Sequence, residues 1–182
     1  MAVEVWIPAY AGMTSKWNGD AGRMVVTSIE PLTPGSPLRM QMAADQFELW
    51  GPLTGHDTPA SYETFLEQAA RSSALPRVLV ARQDAALLGS VNLLAHEMTI
   101  RPQHTPWLGQ LFVTERHRGK GIGAGLLDAA IAYVERLGYR QLFLFTSGTL
   151  PDYYRKRGWM EIETVPYLGK ARTIMRFDIG PK

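Results

Sequence analysis

The chain has 182 residues, which is one domain of ordinary size and too little for two. Apolar residues make up 46% and charged residues 20%, a balance that supports a packed core and argues against wholesale disorder. The absence of cysteine excludes disulfides, thiolate zinc sites, iron–sulfur clusters and a cysteine nucleophile, and a net charge of +2 is too small an excess to argue for nucleic acid.

The first residues, Met1 to Met13, are fairly apolar, and Ala9-Tyr10-Ala11 resembles a cleavage site. The segment has no basic start, and Glu4 interrupts it, so it reads as an extension rather than a signal peptide. Residues 1–23 are therefore set apart as an N-terminal extension, and 24–182 as the domain. No stretch approaches the ~20 apolar residues needed to cross a bilayer. The expectation is a cytoplasmic protein with no membrane partner.

Val25 to Ile29 reads as a strand. Pro31, Pro34, Gly35 and Pro37 then break the chain. Ser36-Pro37 starts a helix that runs to about Trp50, with Leu38, Met42, Ala43, Phe47 and Trp50 at helical spacing. After a loop, Thr58-Pro59 starts a second helix ending near Ser73, with Tyr62, Phe65, Leu66 and Ala69 on one face. Two strands, Val78 to Ala81 and Leu87 to Ile100, are joined by a turn at Asp84. Trp107 to Val113 is a strand, Gly121 to Leu137 a helix, and Leu142 to Phe145 a strand. Pro151 to Arg157 is a short helix closed by Gly158. Trp159 to Val165 and Ala171 to Ile179 pair as a hairpin through residues 166–170. This order predicts a mixed α/β layer fold without strict βαβ alternation.

The most informative run is WLGQLFVTERHRGKGIGAGLLDAAIAYVERLG, residues 107–138. An apolar strand enters a basic, glycine-rich turn that opens a helix. That helix carries Ile122, Leu126, Leu127, Ala130, Ile131, Val134 and Leu137 on one face, with Gly138 at its C-terminal cap. Such a turn gathers backbone N–H groups at the positive end of a helix, and glycine lets an anion approach them closely. A solvated surface turn is the bland alternative. No Walker-type loop is present. Gly119-Lys120-Gly121-Ile122-Gly123-Ala124 fits a dinucleotide fingerprint formally, but the next strand ends Phe145-Thr146-Ser147, without the acid that would hold a ribose.

The turn also contains R-x-x-G-x-G, as Arg118, Gly121 and Gly123. With PDYYRKRGW further on, this resembles the GNAT N-acetyltransferase superfamily. The resemblance follows the element order from about Val25 to Ile179 and is specific between Trp107 and Trp159. HEMTIRPQHTPWLGQLFV and YLGKARTIMRFDI resemble a bacterial branch of that superfamily.

The resemblance implies the acyl-CoA N-acyltransferase fold: a mixed, mostly antiparallel central sheet with two splayed parallel strands and flanking helices. It implies acetyl-CoA as cosubstrate, with an acetyl group moved to a primary amine by direct attack. Leu111, Phe112 and Val113 would present backbone to the pantetheine arm, like an added strand edge. Arg118, Gly119, Lys120, Gly121, Ile122, Gly123 and Ala124 would hold the pyrophosphate, Arg118 more through structure than contact. Tyr154, matching the family's helix tyrosine, would give a proton to the departing thiolate. A backbone N–H on the splayed strand would steady the oxyanion.

The attacking amine must lose a proton. Candidates for the base are Glu97, His96, Glu115 and Asp152, with Glu97 preferred. His96 would face the opposite side of a regular strand. Two departures from the family stand out. Gln110 occupies the commonest base position. The usual Asn before the tyrosine helix is missing, leaving Thr146, Ser147 or Thr149 to replace its hydrogen bond. They leave open a non-catalytic acyl-CoA sensor on the same fold. His56, His104 and His117 lack ligand spacing and read as surface or loop residues, with no metal expected. The acceptor region is expected at about Thr33 to Ser73, where Asp45, Glu48, Asp57, Glu63 and Glu67 could attract a cationic amine. A small-molecule amine is the expected partner, and the closing hairpin offers an edge for a homodimer.

Overall fold

The computed structural model describes residues 27–148 and 150–180. The N-terminal extension, the start of the first predicted strand and Thr149 lie outside the described residues. Seven strands form one sheet: β1 (Ser28–Pro31), β2 (Arg77–Gln83), β3 (Ala86–Leu94), β4 (Trp107–Val113), β5 (Gln141–Thr146), β6 (Met160–Tyr167) and β7 (Lys170–Asp178). Their order is β1-β2-β3-β4-β5-β7-β6, and every neighbouring pair is antiparallel except β4 and β5. The mixed α/β fold and the mostly antiparallel sheet expected from the sequence are the observed ones.

Among the described residues four α-helices flank the sheet: α1 (Leu38–Trp50), α2 (Pro59–Arg71), α3 (Ile122–Arg136) and α4 (Leu150–Arg155). The alternation along β2 sorts them onto faces. Val78 and Val80 pack with α1 and α2, whereas Leu79 and Ala81 pack with Leu126, Leu127, Ala130 and Val134 of α3. Tyr154 of α4 and Trp159 join the α3 side. Helix α2 begins with a reciprocal cap: the Ser61 N–H donates to Thr58 Oγ1 at 3.1 Å, and the Thr58 N–H donates to Ser61 Oγ at 3.2 Å.

Three sequence expectations are corrected. The strand predicted for Leu87 to Ile100 stops at Leu94. Beyond it the chain turns twice, with the Arg101 N–H donating to the Met98 carbonyl at 3.0 Å and the His104 N–H to the Arg101 carbonyl at 3.2 Å. Glu97 therefore stands on a loop. The final hairpin closes through Leu168 and Gly169 alone, both at positive φ (47° and 74°), which suits a tight turn matched to strand twist. Residues 166 and 167 belong to β6 and residue 170 to β7. The first strand, predicted to end at Ile29, continues to Pro31 in the described residues.

Candidate acetyl-transfer site

The site is created by a bulge. Between β3 and β4, Ser90 faces Phe112 and Asn92 faces Gly109, so β4 has one extra residue in this interval. Gln110 takes φ +44° there, unusual for a residue with a side chain. Its side chain is held from three sides. Asn92 Nδ2 donates to Gln110 Oε1 at 3.0 Å; Gln110 Nε2 donates to the Leu53 carbonyl at 3.3 Å and to Glu97 Oε1 at 3.2 Å. On its other edge β4 registers with β5 only at Trp107 and Phe143. Beyond that pair the two parallel strands have no further register, so the edge of β4 at Leu111, Phe112 and Val113 has no ladder partner on the β5 side.

The glycine-rich turn follows this open edge. Gly119 and Gly121 take φ +73° and +83°, and a Cβ on either would meet nothing within 4 Å. These glycines are needed for backbone conformation, and the space beside them is open. Gly121 caps α3 without any side-chain hydrogen bond. The N–H groups of Ile122, Gly123 and Ala124, in the first turn, have no carbonyl four residues back within the helix. Arg118 Nε donates to the Val113 carbonyl at 3.2 Å, bracing the turn onto the strand end. Lys120 is exposed. The cradle fits a pyrophosphate: free N–H donors, a helix N-terminus and basic side chains around glycine backbone.

Of the four proposed bases, Glu97 is the one that packs against β4. Glu97 lies against Gly109 so closely that a Cβ there would stand 2.4 Å from its Oε1. The residue as a whole is half-buried, but Oε2 is shut off from solvent and has no hydrogen-bond partner among the described residues. Burial carries its pKa up to about 8, against the opposing effect of the Gln110 hydrogen bond. Glu115 is exposed in the turn after β4, and Asp152 is exposed and paired with Arg155. His96 does not oppose Glu97 as a regular strand would require. Both line a cavity of about 210 Å³ with Thr54, Gly55, His56, Phe65, Leu94 and Gln110. His56 is on the loop before α2, as expected, and its ring packs 5.4 Å from Tyr62 and 5.2 Å from Phe65.

Gly109→Ala tests this packing. The new methyl cannot share space with the carboxylate, so Glu97 must move, at about 1–3 kcal/mol in urea unfolding. Turnover should fall while acetyl-CoA affinity stays within about 3-fold.

Behind Gln110 a buried polar chain runs into the helices. Asn92 Nδ2 also donates to the Tyr62 hydroxyl at 2.9 Å, Tyr62 donates to Gln46 Oε1, and Gln46 Nε2 donates to Ser90 Oγ at 2.6 Å. Nothing in the periodicity of the sequence revealed this chain. A glycine inside the apolar strand at 109 was the one readable signal of a close approach.

Tyr154 is 8% exposed. Its ring packs edge-on against Tyr153 at 5.2 Å and Trp159 at 5.9 Å. Burial pushes its pKa up to about 12, with smaller contributions from Tyr153 and the charge of Glu97. Tyr153 lies nearer the turn, its hydroxyl 3.3 Å from where a Cβ on Gly123 would be. Of the acids on the acceptor helices, Glu63 and Glu67 pair with Arg39, and Glu67 also with Arg71. Their charge is compensated within the helical layer. A larger cavity, about 410 Å³, lies at the outer edge of the sheet between residues 30–38 and the β2–β3 turn. The Glu30–Arg82 pair occupies its wall, and β2 and β3 separate it from the splayed strands, so size does not mark the site here.

The model of the acetyltransferase (GNAT) family matches residues 41–159, from α1 through α4 to Trp159. The chain belongs to the GNAT acetyltransferase family. As a member it is an acetyl-CoA-dependent acyltransferase. No curated protein matches it. Among solved structures, a GNAT-family acetyltransferase from Streptococcus pneumoniae is 22% identical, with 85% of this chain and 99% of that one covered and a TM-score of 0.59. A putative acetyltransferase from Salmonella typhimurium, solved with acetyl-CoA, is 17% identical over 86% and 95%, with a TM-score of 0.62. An aminoglycoside 6'-N-acetyltransferase complexed with coenzyme A is 17% identical over 85% and 98%, with a TM-score of 0.65. At these identities the likeness is one of fold.

Proposed function

We propose that this GNAT acetyltransferase moves the acetyl group of acetyl-CoA to a small primary amine by direct attack, with Glu97 as base and Tyr154 as acid. The observation carrying this reading is the placement of a buried, unpartnered Glu97 carboxyl oxygen at the β4 bulge, where the strands part. Gln110 does not leave the base position empty, because it donates to Glu97 and tethers it there. That contact favours the enzyme over a non-catalytic sensor.

Acetyl-CoA supplies an activated acyl carbon and a thiolate leaving group. The glycine-rich turn binds its anionic end through backbone N–H groups, and the open edge of Leu111 to Val113 aligns the extended arm. A typical alkylammonium has a pKa near ~10, so a carboxylate of pKa about 8 is a far better proton acceptor than an ordinary glutamate. Glu97 takes one proton from the ammonium and passes it to solvent, the freed nitrogen forms the amide bond as the carbon–sulfur bond breaks, and the second proton that the nitrogen sheds on becoming an amide also leaves to solvent. Tyr154, kept protonated by its raised pKa, gives its proton to the departing sulfur and is reprotonated from solvent. No helix among the described residues is long and apolar enough to cross a membrane.

Tyr154→Phe keeps the packed ring and removes only the hydroxyl. Its kcat should fall about 10²-fold, with acetyl-CoA affinity by isothermal titration within about 2-fold of the parent. An unchanged kcat would remove Tyr154 from the mechanism.

A further inference from the structure

The site has a second charged wall. On β7, Arg172 is 8% exposed, its guanidinium lies 5.7 Å from the centre of the Phe145 ring, and its Nη1 donates to Ser147 Oγ at 3.4 Å. Its Nε is buried without a partner. Every acid of the closing hairpin is matched to another arginine: Glu161 to Arg155, Glu163 to Arg101 and Asp178 to Arg176. Among the described residues no carboxylate pairs with Arg172. A mostly buried guanidinium without an anion is costly, and its planar fork suits a carboxylate.

The register places this group relative to Glu97. Trp107 stands beside Phe143, so two residues further along each strand Gly109 stands level with Phe145 across the divergence. Glu97 covers Gly109, and Arg172 covers Phe145. Trp107, Phe143 and Ile174 form one cluster with Met98, and Leu94 and Phe145 pack on it. Both charged groups therefore occupy one face of the sheet, on opposite sides of the parted strands. Their backbones are at least two strand spacings apart, ~10 Å, a span that a glutamate and an arginine side chain reaching toward each other could narrow to the length of a small molecule.

We infer that the acceptor is an amino acid-like molecule, with its primary amine directed to Glu97 and a carboxylate bound by Arg172. This rests on the amine-acetylation reading above and adds the second half of the substrate. It disfavours polycationic acceptors, which have nothing to offer Arg172 and meet one buried acid rather than several.

The test is thiol release from acetyl-CoA by the full chain, with matched acceptor sets: the common α-amino acids, β-alanine and 4-aminobutyrate, each beside its methyl ester and its decarboxylated amine, plus an aminoglycoside. The ester has a less basic amine and the decarboxylated compound a more basic one, so amine basicity cannot disfavour both. At least one free acid should exceed both its counterparts by ~10- to 100-fold in kcat/KM, the worth of a charged hydrogen bond. Arg172→Gln should remove that preference by raising KM for the acid, with the ester little changed. The comparison on the parent protein decides the matter even if the variant folds poorly. Esters, decarboxylated amines or the aminoglycoside turned over as well as any free acid would overturn the carboxylate assignment while leaving amine acetylation intact. Saturable acetyl-CoA binding with no acceptor used in any set would overturn the amine reading itself, and this inference with it.

Discussion

Glu97→Gln will lower kcat for amine acetylation by about 10²- to 10⁴-fold, the usual range for losing a general base, and will make the folded protein more stable in alkali. The two effects share one cause. The carboxyl has an ordinary value of 4.5 and is carried up to about 8 by burial in the fold. The folded chain therefore holds this proton more tightly than the unfolded chain does. Its contribution to stability is complete below about 4.5 and is lost as the pH climbs to about 8, a loss on the order of a few kcal/mol. Glutamine keeps the shape and has nothing to ionise. Urea unfolding at pH 5 should hardly distinguish parent from variant, whereas at pH 9 the variant should unfold at higher urea. Turnover runs the other way: the parent's kcat rises with pH through about 8 as the base form appears, and the variant lacks that step. Any rise from the amine's own titration is common to both, so their difference isolates Glu97. A variant that kept parental turnover would end the base assignment. Equal stability of the two proteins at pH 9 would show that the carboxyl is not held in a buried site.

Gly121→Ala will weaken acetyl-CoA binding by ~10- to 100-fold, the worth of one or two charge-assisted hydrogen bonds. The backbone there takes φ +83°, and the position of a Cβ is open space rather than protein. The alanine methyl would project into the volume assigned to the pyrophosphate and strain the cap of α3 by about 1–2 kcal/mol. Gly138, just beyond the other end of α3, has φ +87° and equally open surroundings. Gly138→Ala should bring similar strain and leave acetyl-CoA affinity unchanged. If titration showed the two variants binding alike, the turn would be a structural cap and the anion would sit elsewhere.

Much of the site was legible because its parts are local. A strand, a glycine turn with R-x-x-G-x-G and an amphipathic helix are contiguous in 107–138, and each is specified by residues within a turn or two of one another. The tyrosine helix was legible for the same reason, from Pro151 to Gly158. What failed was local pattern at a functional irregularity. Leu87 to Ile100 has the composition of one long strand, but the chain leaves the sheet after Leu94 and turns at Met98 and Arg101. That departure brings His96 and Glu97 to one cavity instead of to opposite faces.

The sequence alone determined the element order, the mixed sheet, the glycine-rich turn and the family, since hydrophobic period, capping residues and glycine placement are short-range properties. The sequence already preferred Glu97 as the candidate base; only the tertiary structure showed what packs around it. Glu97 meets Gln110 through a bulge and Gly109 by close packing, over 13 and 12 residues of separation, and Arg172 lies over Phe145, 27 residues earlier in the chain. Burial and unmatched charge are properties of surfaces brought together from distant parts of the chain, and no local spacing encodes them.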